Sequence, residues 1–124
     1  MEKKKILIIE DESTLQKALA EFLTEEGFEV FSALDGEMGA EMAKKGKPDL
    51  VLLDIILPKK DGYEVLDELK GSDETKMIPV ILLTNLESAE DIDRAFEKGA
   101  NTYLVKSNYK LEEVVGKIKE TLGM

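Results

Sequence analysis

The sequence contains no histidine and no cysteine among its 124 residues. Their absence excludes His-dependent catalytic triads, thiol nucleophiles, disulfides and nearly all structural zinc sites. The chain also lacks any apolar run approaching the roughly 20 residues needed to span a bilayer, and its N-terminus has no signal-peptide core. We therefore expect a cytoplasmic protein without membrane association, whose chemistry relies on carboxylates, hydroxyls, amides and lysine.

Basic residues are in the minority, with 17 Lys and Arg against 27 Asp and Glu, so the formal net charge is -10. An acidic excess of this size disfavours direct binding to nucleic acid or to an anionic membrane through a general basic field. The length indicates a single domain over residues 1–124, because domains usually have roughly 100–200 residues.

Short apolar runs alternate along the chain with longer amphipathic stretches. The runs that predict strands lie at 5–9, 28–31, 50–53, 80–83 and 103–105. Three of them are almost continuously apolar, which is typical of parallel strands buried on both faces. The stretches between them have helical periodicity, so five β–α units and a doubly wound α/β sandwich are expected.

Some helix ends are marked by individual residues. Ser13 predicts the N-cap of the first helix, and Gly27 predicts its end. The segment 37–45 is the least distinct helix, because Met38, Met42 and Ala43 form only a thin apolar stripe.

Polar residues of particular kinds follow four of the predicted strands. Glu10 and Asp11 follow the first strand, Asp54 the third, Thr84 the fourth and Lys106 the fifth. The carboxyl ends of parallel strands meet at one edge of the sheet, where ligands bind near the topological switch point. Three carboxylates, a hydroxyl and an ammonium are therefore expected to meet there.

Each of these residues taken alone also has an ordinary structural explanation. Asp11 or Asp54 could form a turn or cap a helix, Thr84 could cap the following helix, and Lys106 could be a solvated surface lysine. Asp54 is harder to explain in this way because it follows four apolar residues. The combination of residues favours a functional site.

Clustered carboxylates repel one another unless one of them is protonated or a cation joins them. Two like charges about 4 Å apart repel by about 4 kcal/mol at an effective dielectric near 20, and one lysine cannot neutralise three acids. An all-oxygen site favours Mg²⁺ over Mn²⁺ or Ca²⁺, and protein-bound Mg²⁺ typically also contacts phosphate. These residues thus indicate phosphoryl chemistry with Asp54 as the nucleophile. Glu10 and Asp11 would hold the metal, while Lys106 and Thr84 would contact phosphoryl oxygens.

The chain resembles the receiver domain of bacterial two-component response regulators over essentially its whole length. The acidic pair Glu10-Asp11 matches the family pattern, as does the segment 54–62, which runs from Asp54 through a proline to Asp-Gly. Thr84 and Lys106 lie 30 and 52 residues beyond Asp54, at the family's spacing.

The resemblance implies a (βα)5 three-layer sandwich of the flavodoxin-like type, with a five-stranded parallel sheet in the order 2-1-3-4-5. It also implies a phosphoacceptor switch rather than a turnover enzyme. A sensor histidine kinase or a histidine phosphotransfer protein would phosphorylate Asp54 in a Mg²⁺-dependent step. The metal would be held by Glu10 or Asp11, by Asp54 and by the backbone carbonyl of Ile56.

The resemblance further implies that Thr84 and Tyr103 transmit the switch. They would change the face formed by the fourth helix, fifth strand and fifth helix, roughly residues 86–122, which would bind a downstream protein or output domain. The protein would be a monomer or a phosphorylation-dependent homodimer. Tyr103 could instead be a strand residue that fills space between helices.

Two positions depart from the family pattern. The family's lysine is usually followed by proline, often with a cis peptide bond, whereas Ser107 follows Lys106 here. A trans bond and a shifted loop are expected, because a non-proline cis bond costs about 2.5–4 kcal/mol. Ile56 is apolar where many relatives have a polar residue, so we expect slow self-dephosphorylation.

Two other classes of function stay open. The first is a Mg²⁺-dependent phosphatase, although no strand is followed by the Asp-x-Asp-x-Thr signature of aspartate-nucleophile phosphatases. The second is an interaction domain that has lost phosphorylation, against which the complete set of acids with Thr84 and Lys106 argues. The sequence also permits either a stand-alone regulator or the receiver part of a longer one.

Overall fold

The structure is a computed structural model that describes residues 3–85, 88–106 and 110–124. Strands and helices alternate along the described chain. In order they are β1 (Lys5–Ile9), α1 (Ser13–Glu25), β2 (Glu29–Ala33), α2 (Gly36–Gly46), β3 (Leu50–Leu53), α3 (Gly62–Lys70), β4 (Val80–Thr84), α4 (Ala89–Glu97), β5 (Thr102–Val105) and α5 (Leu111–Thr121).

The strands form one parallel sheet in the order β2-β1-β3-β4-β5. In the centre, Ile6 of β1 is in register with Val30 on one side and with Leu50 on the other. The chain therefore has the doubly wound α/β fold that the alternation of apolar and amphipathic segments predicts. None of the described helices is long and apolar enough to cross a bilayer.

Both faces of the sheet are covered by helices. Leu7 and Ile9 of β1 belong to an apolar cluster shared with α2, α3 and α4. Ile6 and Ile8 point the opposite way, into a second cluster with α1 and α5. Because successive side chains of a strand point to opposite faces, a strand with two covered faces must be apolar throughout. This explains the continuous apolar runs of the central strands.

The first helix begins differently from the prediction. Ser13 is its first helical residue, not its N-cap, and Glu12 occupies the cap position with an extended backbone and no capping side chain. The Glu12 N–H instead donates to the carboxylate of Glu10 at 2.9 Å. The end of the helix was predicted correctly, since Gly27 follows it with a φ of 97°.

The second helix, the least distinct in the sequence, packs close to the sheet because the residues that face the sheet are small. Gly36, Gly39, Ala40 and Ala43 are buried, and a Cβ on Gly39 would lie 2.5 Å from Cδ1 of Ile9. Small side chains permit this approach but contribute little to an apolar periodicity, which is why the stripe looked thin in the sequence.

Candidate functional site

The polar residues predicted to converge do lie at the carboxyl edge of the sheet. Glu10 directly follows β1, Asp54 follows β3, Thr84 is the last residue of β4 and Lys106 follows β5. The backbone N–H of Asp54 still donates to the carbonyl of Ile9, at 3.0 Å, so the sheet positions this residue.

Three carboxylates form the centre of the site. Glu10, Asp11 and Asp54 each place one oxygen within 4.8 Å of the other two. Glu10 and Asp54 are buried, with only 2% and 5% of their surfaces exposed, whereas Asp11 is exposed to solvent. Two carboxylates of the cluster are therefore buried, and the side with Asp11 is open to an incoming ligand.

The ammonium of Lys106 bridges the two buried acids. Its Nζ lies 2.6 Å from Oε1 of Glu10 and 2.8 Å from Oδ2 of Asp54, and its side chain is 12% exposed. One positive charge is thus shared by two buried carboxylates with a third nearby, so the site retains a net negative charge.

Burial and charge pairing shift the pKa values of this group. Burial raises the pKa of Glu10 and the charge of Asp54 raises it further, although hydrogen bonds from Lys106 and the Glu12 N–H act in the opposite direction. Burial would lower the pKa of Lys106, but its hydrogen bonds to Asp54 and Glu10 outweigh this and raise the pKa overall. Lys106 therefore remains a cation at neutral pH.

The donor set fits a hard divalent cation. The three groups of the cluster, Glu10, Asp11 and Asp54, are all carboxylates. Mg²⁺ is bound in proteins by oxygen ligands, often one or two carboxylates together with water and phosphate. The backbone N–H of Ile56 lies 3.4 Å from Oδ1 of Asp54, so this segment borders the carboxylate cluster. That the Ile56 carbonyl is a ligand stays a prediction.

Thr84 is fully buried, and its hydroxyl has no hydrogen-bond partner among the described residues. The alternative that it caps the following helix is wrong, because Ser88 caps α4 by accepting from the Asp91 N–H at 3.2 Å. Burying a hydroxyl without a hydrogen-bond partner costs free energy. This cost argues against a purely space-filling role for the Thr84 hydroxyl.

Tyr103 lies on the same face of the sheet as Thr84. Leu82 pairs with Tyr103 in the register of β4 and β5, and Thr84 is two residues beyond Leu82. Side chains two residues apart in a strand share a face. Tyr103 also packs against the apolar cluster beneath α3 and α4, so the space-filling interpretation and the switch interpretation both agree with its position.

Sequence reasoning missed Gln16 as a positioning residue. Its amide donates to the backbone carbonyls of Glu10 and Ala33, at 3.1 and 3.0 Å. Through these two hydrogen bonds, Gln16 on α1 links the end of β1, next to the acids, to the end of β2. Both carbonyls are reached only through the tertiary fold, so no local pattern could reveal this role.

Gly62 was recognised as part of a motif but not for its structural function. A Cβ at this position would lie 2.4 Å from the carbonyl oxygen of Asp54 and 2.5 Å from Cα of Ile55. The Gly62 N–H also donates to the Ile55 carbonyl at 2.7 Å. The start of α3 therefore packs directly on the backbone of the central aspartate.

The departure at Ser107 lies outside the described residues. The peptide bond after Lys106 and the loop that leads to α5 consequently stay predictions.

The fold and the site define a doubly wound α/β domain whose lysine-bridged acidic cluster lies at the carboxyl edge of the sheet, where this class of fold binds ligands. The family model described as the response regulator receiver domain matches residues 6–119. The chain therefore belongs to the receiver domains of two-component response regulators, as its motifs predict.

One curated relative is the transcriptional regulatory protein CiaR of Streptococcus pneumoniae. It is 41% identical over 118 residues, which cover 95% of this chain and 51% of that protein. The chain spans about half the length of the curated relatives it matches.

Solved structures resemble the whole domain. A response regulator of Chloroflexus aurantiacus has a TM-score of 0.91 and 31% identity, covering 99% of this chain and 100% of that one. The receiver domain of the sensor histidine kinase PA1611 of Pseudomonas aeruginosa has a TM-score of 0.89 and 27% identity, with the same coverage. That structure has a magnesium ion coordinated in its active-site cleft.

Proposed function

We propose that residues 1–124 act as one phosphoacceptor switch, in which Asp54 receives a phosphoryl group in a Mg²⁺-dependent step. The donor would be a sensor histidine kinase or a histidine phosphotransfer protein. The observation that carries the proposal is the buried carboxylate of Asp54, placed within a carboxylate cluster and held by Lys106. The proposed location is the cytoplasm.

The chain supplies the nucleophile and its surroundings. An Asp54 carboxylate oxygen forms a bond to phosphorus while the bond between phosphorus and the donor's imidazole nitrogen breaks. Glu10, Asp11, Asp54 and the Ile56 carbonyl would hold Mg²⁺, which when bound neutralises charge on the phosphoryl oxygens. Lys106, already 2.8 Å from Asp54, would contact a phosphoryl oxygen.

The signal would leave the site through Thr84. Its hydroxyl, which has no hydrogen-bond partner among the described residues, can donate to a phosphoryl oxygen on Asp54. Any movement of Thr84 would affect Tyr103 on the same face of the sheet. The face made by α4, β5 and α5, roughly residues 86–122, would then bind a downstream protein, an output domain or a second copy. In this proposal the domain is a switch, without substrate turnover and without direct contact to nucleic acid.

Phosphorylation of the purified protein tests the proposal. The protein is incubated with Mg²⁺ and phosphoramidate, and its intact mass is measured. We expect one phosphoryl adduct on the wild type, none on Asp54→Asn, and none when Mg²⁺ is chelated. Asp61→Asn is a matched control, because Asp61 lies in the same loop but caps α3 instead of entering the cluster.

The possible results separate the classes of function. An adduct that persists in Asp54→Asn would contradict the assignment of the acceptor. Continuous release of phosphate at a rate typical of an enzyme would favour the phosphatase. No adduct with phosphoramidate or with a panel of histidine kinases would favour an interaction domain that has lost phosphorylation.

A further inference from the structure

The outer edge of β2 has a backbone that pairs with no other strand in the described part of the chain. β2 is the terminal strand of the sheet and pairs only with β1 in the described structure. On the inner side, the Glu29 N–H donates to the Lys4 carbonyl at 2.9 Å, and the Glu10 N–H donates to the Ala33 carbonyl at 3.0 Å. Since backbone direction alternates along a strand, the N–H and C=O groups of Val30 and Ser32 point away from the sheet.

An apolar groove lies beside this edge on the face of α2. It has a volume of about 530 Å³, and its floor is formed by Phe31, Met38 and Met42. Met38 is 49% exposed although it is a large apolar side chain. The two charged residues at the rim, Glu41 and Lys45, are paired with each other at 2.7 Å, so the groove offers apolar surface and little free charge.

A second groove lies on the opposite face of the sheet, between β2 and α1. Its volume is about 390 Å³, and its lining includes Glu21, Glu25 and Val30. Neither glutamate forms an ion pair with any residue that the structure describes. This side of the edge is therefore negatively charged.

We propose that the β2 edge is a docking site for an extended segment of a partner protein in which apolar and basic residues alternate. The segment would add a sixth strand to the sheet through the backbone groups of Val30 and Ser32. Because side chains alternate between the faces of a strand, its apolar residues would enter the α2 groove. Its basic residues would meet Glu21 and Glu25.

Charge complementarity selects this partner over a second copy of the chain. An antiparallel pair of β2 strands would bring two chains of net charge -10 together, each with an exposed Glu29 on the strand. A large net charge of one sign opposes self-association of the chain. This surface is separate from the acidic site around Asp54, so the proposal does not depend on phosphorylation.

Binding is tested with a synthetic eight-residue peptide in which lysine and valine alternate. The full chain, labelled with ¹⁵N, is titrated with this peptide at low salt while amide shifts and hydrogen exchange are recorded. We expect a saturable interaction, with the amides of Val30 and Ser32 shifted and newly protected from exchange. A peptide of alternating glutamate and valine, and one with the same lysines and valines in two separate blocks, are the controls.

Two protein variants test the two parts of the proposal. Ser32→Pro removes an outward-facing N–H while leaving the hydrogen bonds to β1 in place, which an edge strand tolerates. Glu21→Lys combined with Glu25→Lys reverses the charge of the α1 groove. We expect each variant to weaken binding by about tenfold or more. The matched control is Asp93→Lys with Glu97→Lys, an equal charge change on exposed residues of α4.

Several results would overturn the proposal. It is wrong if the peptides bind equally, if Val30 and Ser32 show no new protection, or if the α4 control weakens binding as much as the α1 variant. It is also wrong if the protein alone forms a dimer with protected β2 amides, because a second copy would then be the occupant. Unchanged amide spectra away from the β2 edge show that each variant is folded. Met38→Glu, a substitution at an exposed position, repeats the peptide-binding test in the α2 groove.

Discussion

Among the single residues, Ile56 borders the acidic cluster through its backbone. It is 62% exposed, and its backbone N–H lies 3.4 Å from the carboxylate of Asp54. Water that hydrolyses an aspartyl phosphate must be oriented, and an aliphatic side chain has no hydrogen-bonding group for this.

We therefore predict that Ile56→Asn shortens the lifetime of the phosphorylated protein by about tenfold or more, because the asparagine amide can orient the attacking water. The lifetime is measured by the loss of the phosphoryl adduct after the donor is removed. Ile56→Val, which keeps an aliphatic side chain, is the control. An equal or longer lifetime in the asparagine variant would show that position 56 does not limit water attack.

The contact of Gly62 with the backbone of Asp54 leads to a second prediction. Gly62→Ala places a Cβ where only 2.4 Å separates it from the Asp54 carbonyl oxygen. Because backbone atoms cannot move aside as a flexible side chain can, we expect the free energy of unfolding to fall by about 1–3 kcal/mol and phosphorylation of Asp54 to slow.

Gly116 provides the matched comparison for this substitution. It lies inside α5, and apart from the adjoining helix backbone a Cβ there would have no neighbour within 4 Å among the described residues. Gly116→Ala should therefore raise the free energy of unfolding by about 0.5–1 kcal/mol, since alanine is the better helix former. Urea denaturation of both variants checks the opposite signs, and equal effects would refute the argument from close packing.

At the scale of elements, α2 and α3 are joined by charges. Glu68 of α3 pairs with Lys44 of α2 at 3.0 Å and with Lys60 of the preceding loop. The hydrogen bond from Lys60 is the largest cause that lowers the pKa of Glu68, and Lys44 lowers it further, while burial opposes both. A carboxyl whose pKa is lowered by folding stabilises the protein above its unfolded pKa, and this contribution is lost as the pH falls through the folded pKa.

Glu68→Gln should accordingly reduce the free energy of unfolding near pH 7, by about 1 kcal/mol for this partly exposed network. The difference from wild type should shrink as the pH falls below the ordinary glutamate pKa of 4.5. Denaturation at a series of pH values measures it, with Glu97→Gln on α4 as the control. A difference that does not depend on pH would mean that packing, not charge, is responsible.

Helices and strands could be predicted from the sequence better than their contacts. The continuous apolar runs correctly indicated β1, β3 and β4, because burial on both faces leaves no polar position. In contrast, no pattern in the sequence indicates the contacts of Tyr63 in α3. The structure shows that its hydroxyl donates to the Asp91 carbonyl at 3.2 Å and that Arg94 lies 3.9 Å above its ring. These contacts link α3 to α4, and no spacing within either helix reveals them.

At the scale of the whole molecule, the acidic cluster exists only in the folded chain. Glu10 and Asp54 are 44 positions apart in the sequence, so an unfolded chain has no comparable divalent-cation site. A ligand that binds only the folded state stabilises it, by about 2.7 kcal/mol at a concentration of 100 times Kd. Mg²⁺ should therefore raise the melting temperature by several degrees.

The melting temperature is followed during a Mg²⁺ titration at constant ionic strength. We expect the increase to be largely lost in Asp11→Asn, whose carboxylate is exposed and so can be replaced without disturbing the core. Asp73→Asn is the control, because Asp73 is exposed on the surface and outside the cluster. An equal increase in all three proteins would show that Mg²⁺ acts through general surface charge and not at the carboxylate cluster.

The amino-acid pattern correctly predicts the fold class and the residues that lie at the carboxyl edge of the sheet. Periodicity and burial set which segments are strands, and parallel strand direction places the residues after β1, β3, β4 and β5 at one edge. How those residues contact one another depends on the folded chain. The tertiary structure shows that Lys106 bridges Glu10 and Asp54, that Gln16 holds the end of β1, and that the β2 edge is open between two unlike grooves. Local sequence patterns arise from backbone geometry and from side chains that are neighbours along the chain. These contacts join residues that are distant in the sequence, so only the folded chain brings them together.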